Sequence, residues 1–553
     1  MPKILPIGTE DFAKLRERYY FVDKSGFIAE FLHNHNDVTL ITRPRRFGKT
    51  LLLSMMQHFL DVRDAETNRQ LFEGLKVAND AQAMAEQGKR PVVFLTMKNM
   101  EWDTWEGMQK KISWEFMRLY SPFKYLLQDE MNTGMRAAFE SILANTPTLE
   151  TLSNAFQMLC LLLEAHHGQR VVLLIDEYDA PIQCAWSHGY YQDAIGFFRT
   201  LYSSALKTNA SLDFAILTGV LRIAKESIFS GLNNLDVSSV ISGGYADACG
   251  YTQAEIRQMA HDFGREDKLA ELAAWYDGYQ FQGTDIYNPW SVNNYFKQGC
   301  KPRKYWVKTS GNSILQVMLR HLDARRTRQL NALMAGKTIS TQLEDSFIYA
   351  DIEQNRANLY ALLLSTGYLK CVDNSETGDE DSYVVSIPNG EIRRLYRDEI
   401  LKYLSTSSDR TVLDDMLTAM QTGDIEDFQD CLQTILRNWV SYHDAAQPES
   451  FYHGLMLGLT VWLEKCYRIA SNKESGYGRF DLAFFPKQDN LPGIIMEFKA
   501  VKTEDELPTA VDAACQQIQQ KAYLTDLQAA GTRPIWCYGI AFCKKYVQIQ
   551  MCP

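Results

Sequence analysis

Asp481, Glu497 and Lys499 are two carboxylates and an ammonium that a pair of short strands can bring to one place. Glu497 and Lys499 are two residues apart, so in a strand they share a face, while Phe498 between them points into the core. Leu482-Ala483-Phe484-Phe485 and Gly493-Ile494-Ile495-Met496 are apolar and β-prone, and the stretch from Pro486 to Pro492 supplies a polar turn. The pattern predicts a hairpin that returns Asp481 to the side of Glu497. Two carboxylates suit Mg²⁺, or Mn²⁺, that keeps several of its waters. A lysine beside such a metal orients or deprotonates an attacking water. This is the chemistry of phosphodiester cleavage, which points to nucleic acid as partner, DNA before RNA.

A second set lies near the other end. Asp37-Val38-Thr39-Leu40-Ile41-Thr42 is a short apolar strand, Arg43-Pro44-Arg45-Arg46-Phe47-Gly48-Lys49-Thr50 follows, and Leu51 to Gln57 opens a helix. Strand, loop, Gly-Lys-Thr, helix is the context of a phosphate loop. The free amides and positive dipole end of the helix face phosphate. Lys49 would reach the β- and γ-phosphates of ATP, and the Thr50 hydroxyl would ligate Mg²⁺, with Arg46, Phe47 and Gly48 completing the loop. Arg43 stands where the first glycine is expected; Arg43, Arg45 and Arg46 either add charge to the phosphate site or bind something else. Arg170-Val171-Val172-Leu173-Leu174-Ile175-Asp176-Glu177 reads as a buried parallel strand ending in two carboxylates. Ligands in open α/β sheets sit at the carboxyl ends of strands. There Asp176 would hold Mg²⁺ through water, and Glu177 would polarise the attacking water. Leu212 to Leu217 is a third strand, ending at Thr218-Gly219 with Arg222 beyond. Thr218 sits where ATPases that this stretch resembles place a polar residue that senses the γ-phosphate; Arg222 is either a phosphate-sensing or finger arginine or a surface helix arginine.

These residues need a scaffold. With Pro91 to Met97, four apolar strands alternate with helical stretches, which predicts a parallel α/β core over residues 1–234. Residues 235–445 are mostly helical in pattern. Thr252-Gln253-Ala254-Glu255 is a capping box, and Glu271 to Tyr276 is a further helical stretch. Asn358 to Gly367, followed by two β-prone runs around the acidic stretch Asp373 to Ser382, suggests a winged-helix-like module. Asp414 to Trp439 reads as two short helices broken near Gly423. Residues 446–553 are expected to form a separate α/β domain carrying Asp481, Glu497 and Lys499.

The Asp481…Glu497-Phe498-Lys499 constellation resembles the PD-(D/E)XK nuclease superfamily, whose fold is that of restriction endonucleases. Gln517-Ile518-Gln519-Gln520-Lys521-Ala522-Tyr523 is similar to the glutamine-tyrosine motif of that superfamily, which implies that Gln517 and Tyr523 support the site from the next helix. Phe451-Tyr452-His453-Gly454-Leu455 and Ser471 to Arg479 resemble one bacterial subfamily. Phe480 stands where the superfamily typically has proline. Nearly the whole chain resembles bacterial proteins with an N-terminal AAA-ATPase-like P-loop NTPase domain and a C-terminal PD-(D/E)XK domain. The matching pieces include Leu5-Pro6-Ile7-Gly8, Tyr20 to Lys24, Arg43 to Thr50, Asp176 to Pro181, Thr218 to Arg222, Trp275 to Tyr279 and Tyr287 to Ser291. In that family an arginine in place of the first loop glycine is usual. The resemblance implies an ATPase and a metal-dependent nuclease, with ATP and Mg²⁺ or Mn²⁺ as cofactors.

Composition sets outer bounds. A chain of 553 residues is too long for one core. The formal net charge of −11 argues against a general nucleic-acid coat, but local fields govern phosphate binding. Lys301 to Lys308, and Arg320, Arg325, Arg326 and Arg328, are basic groups that serve either phosphate contact or a solvated helix face. No apolar run approaches a membrane span, and Met1 to Pro6 lacks a signal-peptide pattern. The 11 cysteines are scattered without a CxxC pair, so neither zinc nor a disulfide framework is expected, and reduced thiols in a bacterial cytoplasm fit. A homo-oligomer is compatible with all of this. Two functions follow: an ATP-controlled, metal-dependent nuclease used in defence or mobile-element control, or a nucleotide-switched regulatory protein that binds nucleic acid without cutting.

Overall fold

Strands buried on both faces need helices above and below, and the first half of the chain alternates accordingly. The computed structural model describes residues 4–223, 228–229, 234–306, 315, 329–330, 332–334, 336–343, 356–372, 382–405, 410–439, 449–460, 463, 466–471, 474–475, 478–479, 481–520, 524–529 and 531–552. Two compact units result, Met1–Ser310 with Ser340–Ile392, and Gly311–Ile339 with Arg393–Pro553.

The first unit is built on strands β1 (Val38–Thr42), β2 (Val92–Thr96), β3 (Val171–Asp176), β4 (Leu212–Gly219) and β5 (Leu235–Ser238), in the order β2-β3-β4-β1-β5. All the pairings are parallel. Helices α1 (Lys49–Leu60), α2 (Trp105–Tyr120), α3 (Ala155–His167) and α4 (Tyr191–Leu206) fill the crossovers. β1 and β3 are buried along their whole length. In this order β1 lies between β4 and β5, so the loop after β1 opens beside the carboxyl end of β4, with that of β3 next along the sheet.

β5 lies just past the boundary expected at residue 234, so the sheet continues beyond it. Leu235-Asp236-Val237-Ser238 has too little apolar character to stand out. Its pairing of Val38 with Leu235 and Ile41 with Ser238 is what makes it a strand.

The stretch that follows, expected to be helical, also carries a small antiparallel sheet. Strands β6 (Tyr251–Thr252), β7 (Tyr279–Phe281) and β8 (Thr284–Tyr287) are ordered β6-β8-β7, among helices α5 (Gln253–Asp262), α6 (Leu269–Tyr276) and α7 (Pro289–Lys297). The Thr252–Glu255 capping box starts α5. Leu5 shares a core with Tyr251, Ile256, Met259, Tyr276, Val292 and Tyr295, so the N-terminal segment packs on this layer. Helix α8 (Arg356–Ser365) precedes β10 (Lys370–Val372) and β11 (Ser382–Ser386), which pair antiparallel and are joined by β9 (Ile339–Gln342). Helix α9 (Gly390–Ser405) follows. The acidic loop 373–381 and Arg320, Arg325, Arg326 and Arg328 lie outside the described residues.

In the second unit, helices α10 (Arg410–Thr422) and α11 (Ile425–Trp439) meet at Gly423, whose φ of +84° makes the turn. Helix α12 (Glu449–Thr460) leads to β12 (Tyr467–Ser471), the two-residue strands β13 (Glu474–Ser475) and β14 (Gly478–Arg479), and β15 (Leu482–Pro486) and β16 (Gly493–Ala500). Helix α13 (Leu507–Gln520) crosses to β17 (Ile535–Cys543), and β18 (Tyr546–Met551) ends the chain. The mixed sheet runs β12-β15-β16-β17-β18. One face, with Met496, Phe498, Tyr538 and Phe542, packs on α10 to α12. The other, with Ala483, Ile495 and Cys537, packs on Cys515 and Ile518 of α13.

A disulfide joins Cys515 to Cys552, although no bridge was expected from the sequence. The two cysteines are 37 residues apart, and only the packing of α13 on the sheet brings them together. Among the described residues no helix is long and apolar enough to cross a membrane.

Candidate functional site

β15 and β16 pair antiparallel with Leu482 opposite Met496, which sets Asp481 opposite Glu497 on one face. Phe498, buried on the opposite face, anchors the strand. Its backbone N–H donates to Asp481 Oδ2 at 2.8 Å. Lys499 Nζ stands 3.4 Å from Glu497 Oε1. Gln517 Nε2, on α13, donates to the same oxygen. α13 comes this close because Gly539, in register with Glu497 on β17, has no side chain. A Cβ there would lie 2.7 Å from Cys515 Sγ and 2.9 Å from the Val511 carbonyl. Tyr523, the other supporting residue expected from the sequence, and Phe480 lie outside the described residues.

Glu497 is only 2% exposed, and among the described residues its Oε2 has no hydrogen-bond partner. Burial, and then the charge of Asp481, push its carboxyl up to about 8. Burial also raises Asp481, while the Phe498 N–H, His453 and Lys499 pull it back. A buried carboxylate oxygen left unpartnered beside a second carboxylate and an ammonium fits a hard cation with oxygen ligands. Among the described residues no group of three or more His, Cys, Asp or Glu gathers for a metal, so a cation here would rely on two carboxylates plus water and backbone oxygen.

α12 adds two residues to which the strand pattern assigned no role. His453 Nε2 lies 3.0 Å from the Asp481 carbonyl, and Glu449 feels the charges of Lys499 and Asp481. His453 belongs to one of the stretches that resemble the nuclease subfamily, which was the available signal; Glu449 had none.

In the first unit, Gly48 takes φ +96° and starts α1 without a side-chain cap, so the first amides of the helix remain open to a ligand. A Cβ on Gly48 would meet nothing within 4 Å, so the loop faces open space. Lys49 Nζ donates to the carbonyls of Arg43 and Pro44 at 3.0 and 3.1 Å. Thr50 donates to Asp176 Oδ2 at 2.7 Å, Thr96 to the same oxygen at 3.2 Å, and Thr218 to Oδ1 at 2.6 Å. Asp176 is thus held by hydroxyls from the first turn of α1, the end of β2 and β4. Glu177, at φ +50°, is raised by burial and lowered by the charge of Lys49. Asp179, also without a role in the motif reading, accepts from the amides of Val220 and Leu221 and shapes the turn after β4.

Arg46, Phe47, Gly48, Lys49, Thr50 and Glu177 all line one cavity of about 480 Å³. Arg222 lines a separate small recess with Thr42 and Ser239. The three loop arginines divide. Arg43 is fully buried and bonds the Thr42, Ser238, Ser239 and Tyr245 carbonyls and the Ser238 hydroxyl at 2.9–3.0 Å. Burial lowers it to about 10, and it binds protein backbone rather than adding charge to the cavity. Arg45 bonds Gln183 at 3.3 Å, and Arg46 lies over the Trp290 ring, 4.4 Å from its centroid.

Two family models match the chain. One, described as predicted AAA-ATPase, covers residues 6–229, and one, described as the PD-(D/E)XK nuclease superfamily, covers residues 447–551. The chain is also similar to a protein of Azotobacter chroococcum mcd 1 described as "Uncharacterized protein in vnfD 5'region", at 30% identity over 556 positions that span 98% of this chain and 96% of the relative.

Proposed function

The chain belongs to the family that joins a predicted AAA-ATPase domain to a PD-(D/E)XK nuclease superfamily domain, and on that premise we propose that it binds and hydrolyses ATP and cleaves nucleic-acid phosphodiesters, DNA before RNA. The observation that carries the nuclease half is the buried Oε2 of Glu497, unpartnered among the described residues, beside Asp481, Lys499 and Gln517.

Asp481 and Glu497 would hold Mg²⁺ or Mn²⁺, which supplies a Lewis acid for the phosphodiester and lowers the pKa of bound water. Gln517 fixes the Glu497 carboxylate through Oε1, so that Oε2 is without a partner among the described residues. Lys499 places a positive charge where an attacking water or the charge developing on phosphate would lie. At the other site, the α1 amides, Lys49 and Thr50 would receive the phosphates of ATP, and Lys49 would exchange its two loop carbonyls for phosphate oxygens. Asp176 would hold the magnesium through water, and Glu177 would orient the water that attacks the γ-phosphate. The setting is the bacterial cytoplasm, in defence or mobile-element control.

The test incubates the full chain with plasmid, linear and single-stranded DNA, with Mg²⁺ or Mn²⁺, with and without ATP. Metal-dependent cleavage that disappears in Glu497→Ala is expected. Binding of nucleic acid without cleavage under every condition sinks the nuclease half and favours a nucleotide-switched binding protein.

A further inference from the structure

Glu177 stands in a conformation that its residue type does not favour. Its φ of +50° is left-handed, which is costly for a residue with a Cβ and persists only where the surroundings over-determine it. The turn it makes sorts the neighbouring side chains. Glu177 lines the cavity beside Lys49, whereas Asp176, Tyr178 and Asp179 are buried. What keeps Glu177 aimed is therefore the hold on the residues that follow it.

We propose that Tyr178 and Asp179 are positioning residues for ATP hydrolysis, which clamp the turn after β4 to the end of β3 and so aim the Glu177 carboxylate. The proposal deepens the ATPase reading above and rests on it, Glu177 being the group that orients the attacking water.

Three observations carry it. First, Tyr178 is tied through backbone and side chain alike. Its amide donates to the Thr218 carbonyl at 3.0 Å, and its carbonyl accepts from the Tyr202 hydroxyl at 2.9 Å. Its own hydroxyl donates to the Leu221 carbonyl at 2.7 Å and accepts from the Ile223 amide at 3.1 Å. Second, Asp179 grips the same turn. It is 3% exposed, and its Oδ2 accepts from the amides of Val220 at 3.0 Å and Leu221 at 2.8 Å. A buried amide without an acceptor is costly, so carboxylate and turn hold each other. Third, Gly219 lets the two segments meet. A Cβ there would lie 2.6 Å from Asp179 Oδ1 and 2.6 Å from the Tyr178 ring. Its φ is not left-handed, so close packing rather than backbone conformation calls for glycine at this point.

The clamp is separate from the groups that would take the phosphates. Lys49 bonds the Arg43 and Pro44 carbonyls, and Thr50 bonds Asp176. Loosening the clamp should misaim Glu177 and leave nucleotide binding in place. Asp179 does feel the charge of Lys49. An asparagine at 179 loses that charge but keeps an acceptor for the two amides, so it separates the two effects.

The test places Asp179→Ala, Asp179→Asn and Tyr178→Phe in the full-length chain, each with Glu177 intact and in a Glu177→Gln background. Phosphate release over a range of ATP concentrations gives kcat, and calorimetric titration with ADP gives nucleotide affinity independently of turnover. With Glu177 intact, Asp179→Ala should lower kcat by about 10- to 100-fold, the scale of a misplaced catalytic group, at nearly unchanged ADP affinity. Asp179→Asn should recover most of the rate. Tyr178→Phe, which keeps the ring and both backbone bonds, should lower kcat in the same sense by a smaller factor, and it serves if the alanine variant does not fold. In the Glu177→Gln background the same changes should add little, because the group they position is gone. Wild-type kcat in Asp179→Ala and Tyr178→Phe overturns the proposal. So does an equal loss with and without Glu177, or a fall of kcat and ADP affinity by the same factor. A Glu177→Gln variant that turns over at the wild-type rate, or a wild type that releases no phosphate, overturns the underlying ATPase reading and the positioning role with it.

Discussion

Replacing Arg43 by glycine restores the residue expected at the start of a phosphate loop, yet it should damage this protein. The guanidinium makes five hydrogen bonds at 2.9–3.0 Å, through Nη1 to the carbonyls of Thr42, Ser238 and Ser239, and through Nη2 to the Ser238 hydroxyl and the Tyr245 carbonyl. Its carbon lies 5.1 Å from the Phe281 ring centroid. Although burial lowers its pKa to about 10, it remains a cation at neutral pH. Arg43→Gly leaves a cavity and several buried acceptors without a donor. Each such acceptor costs about 1–3 kcal/mol if it stays dry. Water entering the space recovers part of this, so the expected loss is about 3–5 kcal/mol, the range for breaking a buried charged network. With a urea dependence of roughly 3 kcal/mol per molar, the unfolding midpoint falls by about 1 M or slightly more. The same loop supplies the Arg43 and Pro44 carbonyls that hold Lys49, so ATP affinity should fall as well. Arg43→Lys keeps the charge but cannot fork to acceptors in two directions, and should recover only part of the loss. The assays are urea unfolding followed by tryptophan fluorescence, and ATP calorimetry. An Arg43→Gly protein that unfolds at the wild-type midpoint and binds ATP as tightly, or more tightly, would refute the reasoning.

Glu177→Gln should keep ATP binding while slowing hydrolysis by about 10²-fold or more, measured as phosphate release at saturating ATP; unchanged turnover removes Glu177 from the reaction. Asp481→Ala and Glu497→Ala should abolish DNA cleavage with unchanged circular dichroism, whereas Lys499→Ala should lower the rate with little change in the metal concentration needed; equal metal dependence of the rate in Glu497→Ala and wild type would contradict this. Gly539→Ala forces a Cβ to within 2.7 Å of Cys515 Sγ. It should cost about 1–3 kcal/mol and slow cleavage by moving Gln517 off Glu497, and a variant with wild-type stability would show that α13 yields freely.

Glu391→Gln tests the pH dependence of stability. Glu391 accepts from Ser291 Oγ and the Trp306 amide at 2.7 Å and faces Tyr276, Tyr279 and Tyr305. Burial raises its pKa from 4.5 to about 7. A carboxyl raised in the folded state favours folding most fully below about 4.5, and that contribution is lost as pH rises through 7. The loss is roughly 3 kcal/mol for a shift of this size. The glutamine variant should flatten the fall in stability between these values; an identical pH profile in wild type and variant would show that Glu391 does not titrate there.

Much of this protein was readable from spacing alone. The Glu497-Phe498-Lys499 alternation, the polar turn between β15 and β16, and the strand–Gly-Lys-Thr–helix order are local patterns, and local backbone periodicity is a direct consequence of residue spacing. The identity of β1, β3 and β4 as buried parallel strands followed from their apolar runs in the same way. The tertiary structure alone decided the rest. β5 is a strand because β1 offers it an edge. Cys515 meets Cys552 because Gly539 lets α13 lie close to the sheet; the same close approach seats Gln517, whose support of the site the family resemblance had implied, on one particular oxygen of Glu497. Arg43 occupies the position of a phosphate-loop residue, yet its partners at Ser238, Ser239 and Tyr245 are about 200 residues away. A side chain's neighbours along the chain determine which way it points, whereas its hydrogen-bond partners and burial depend on segments that meet only when the whole unit has packed.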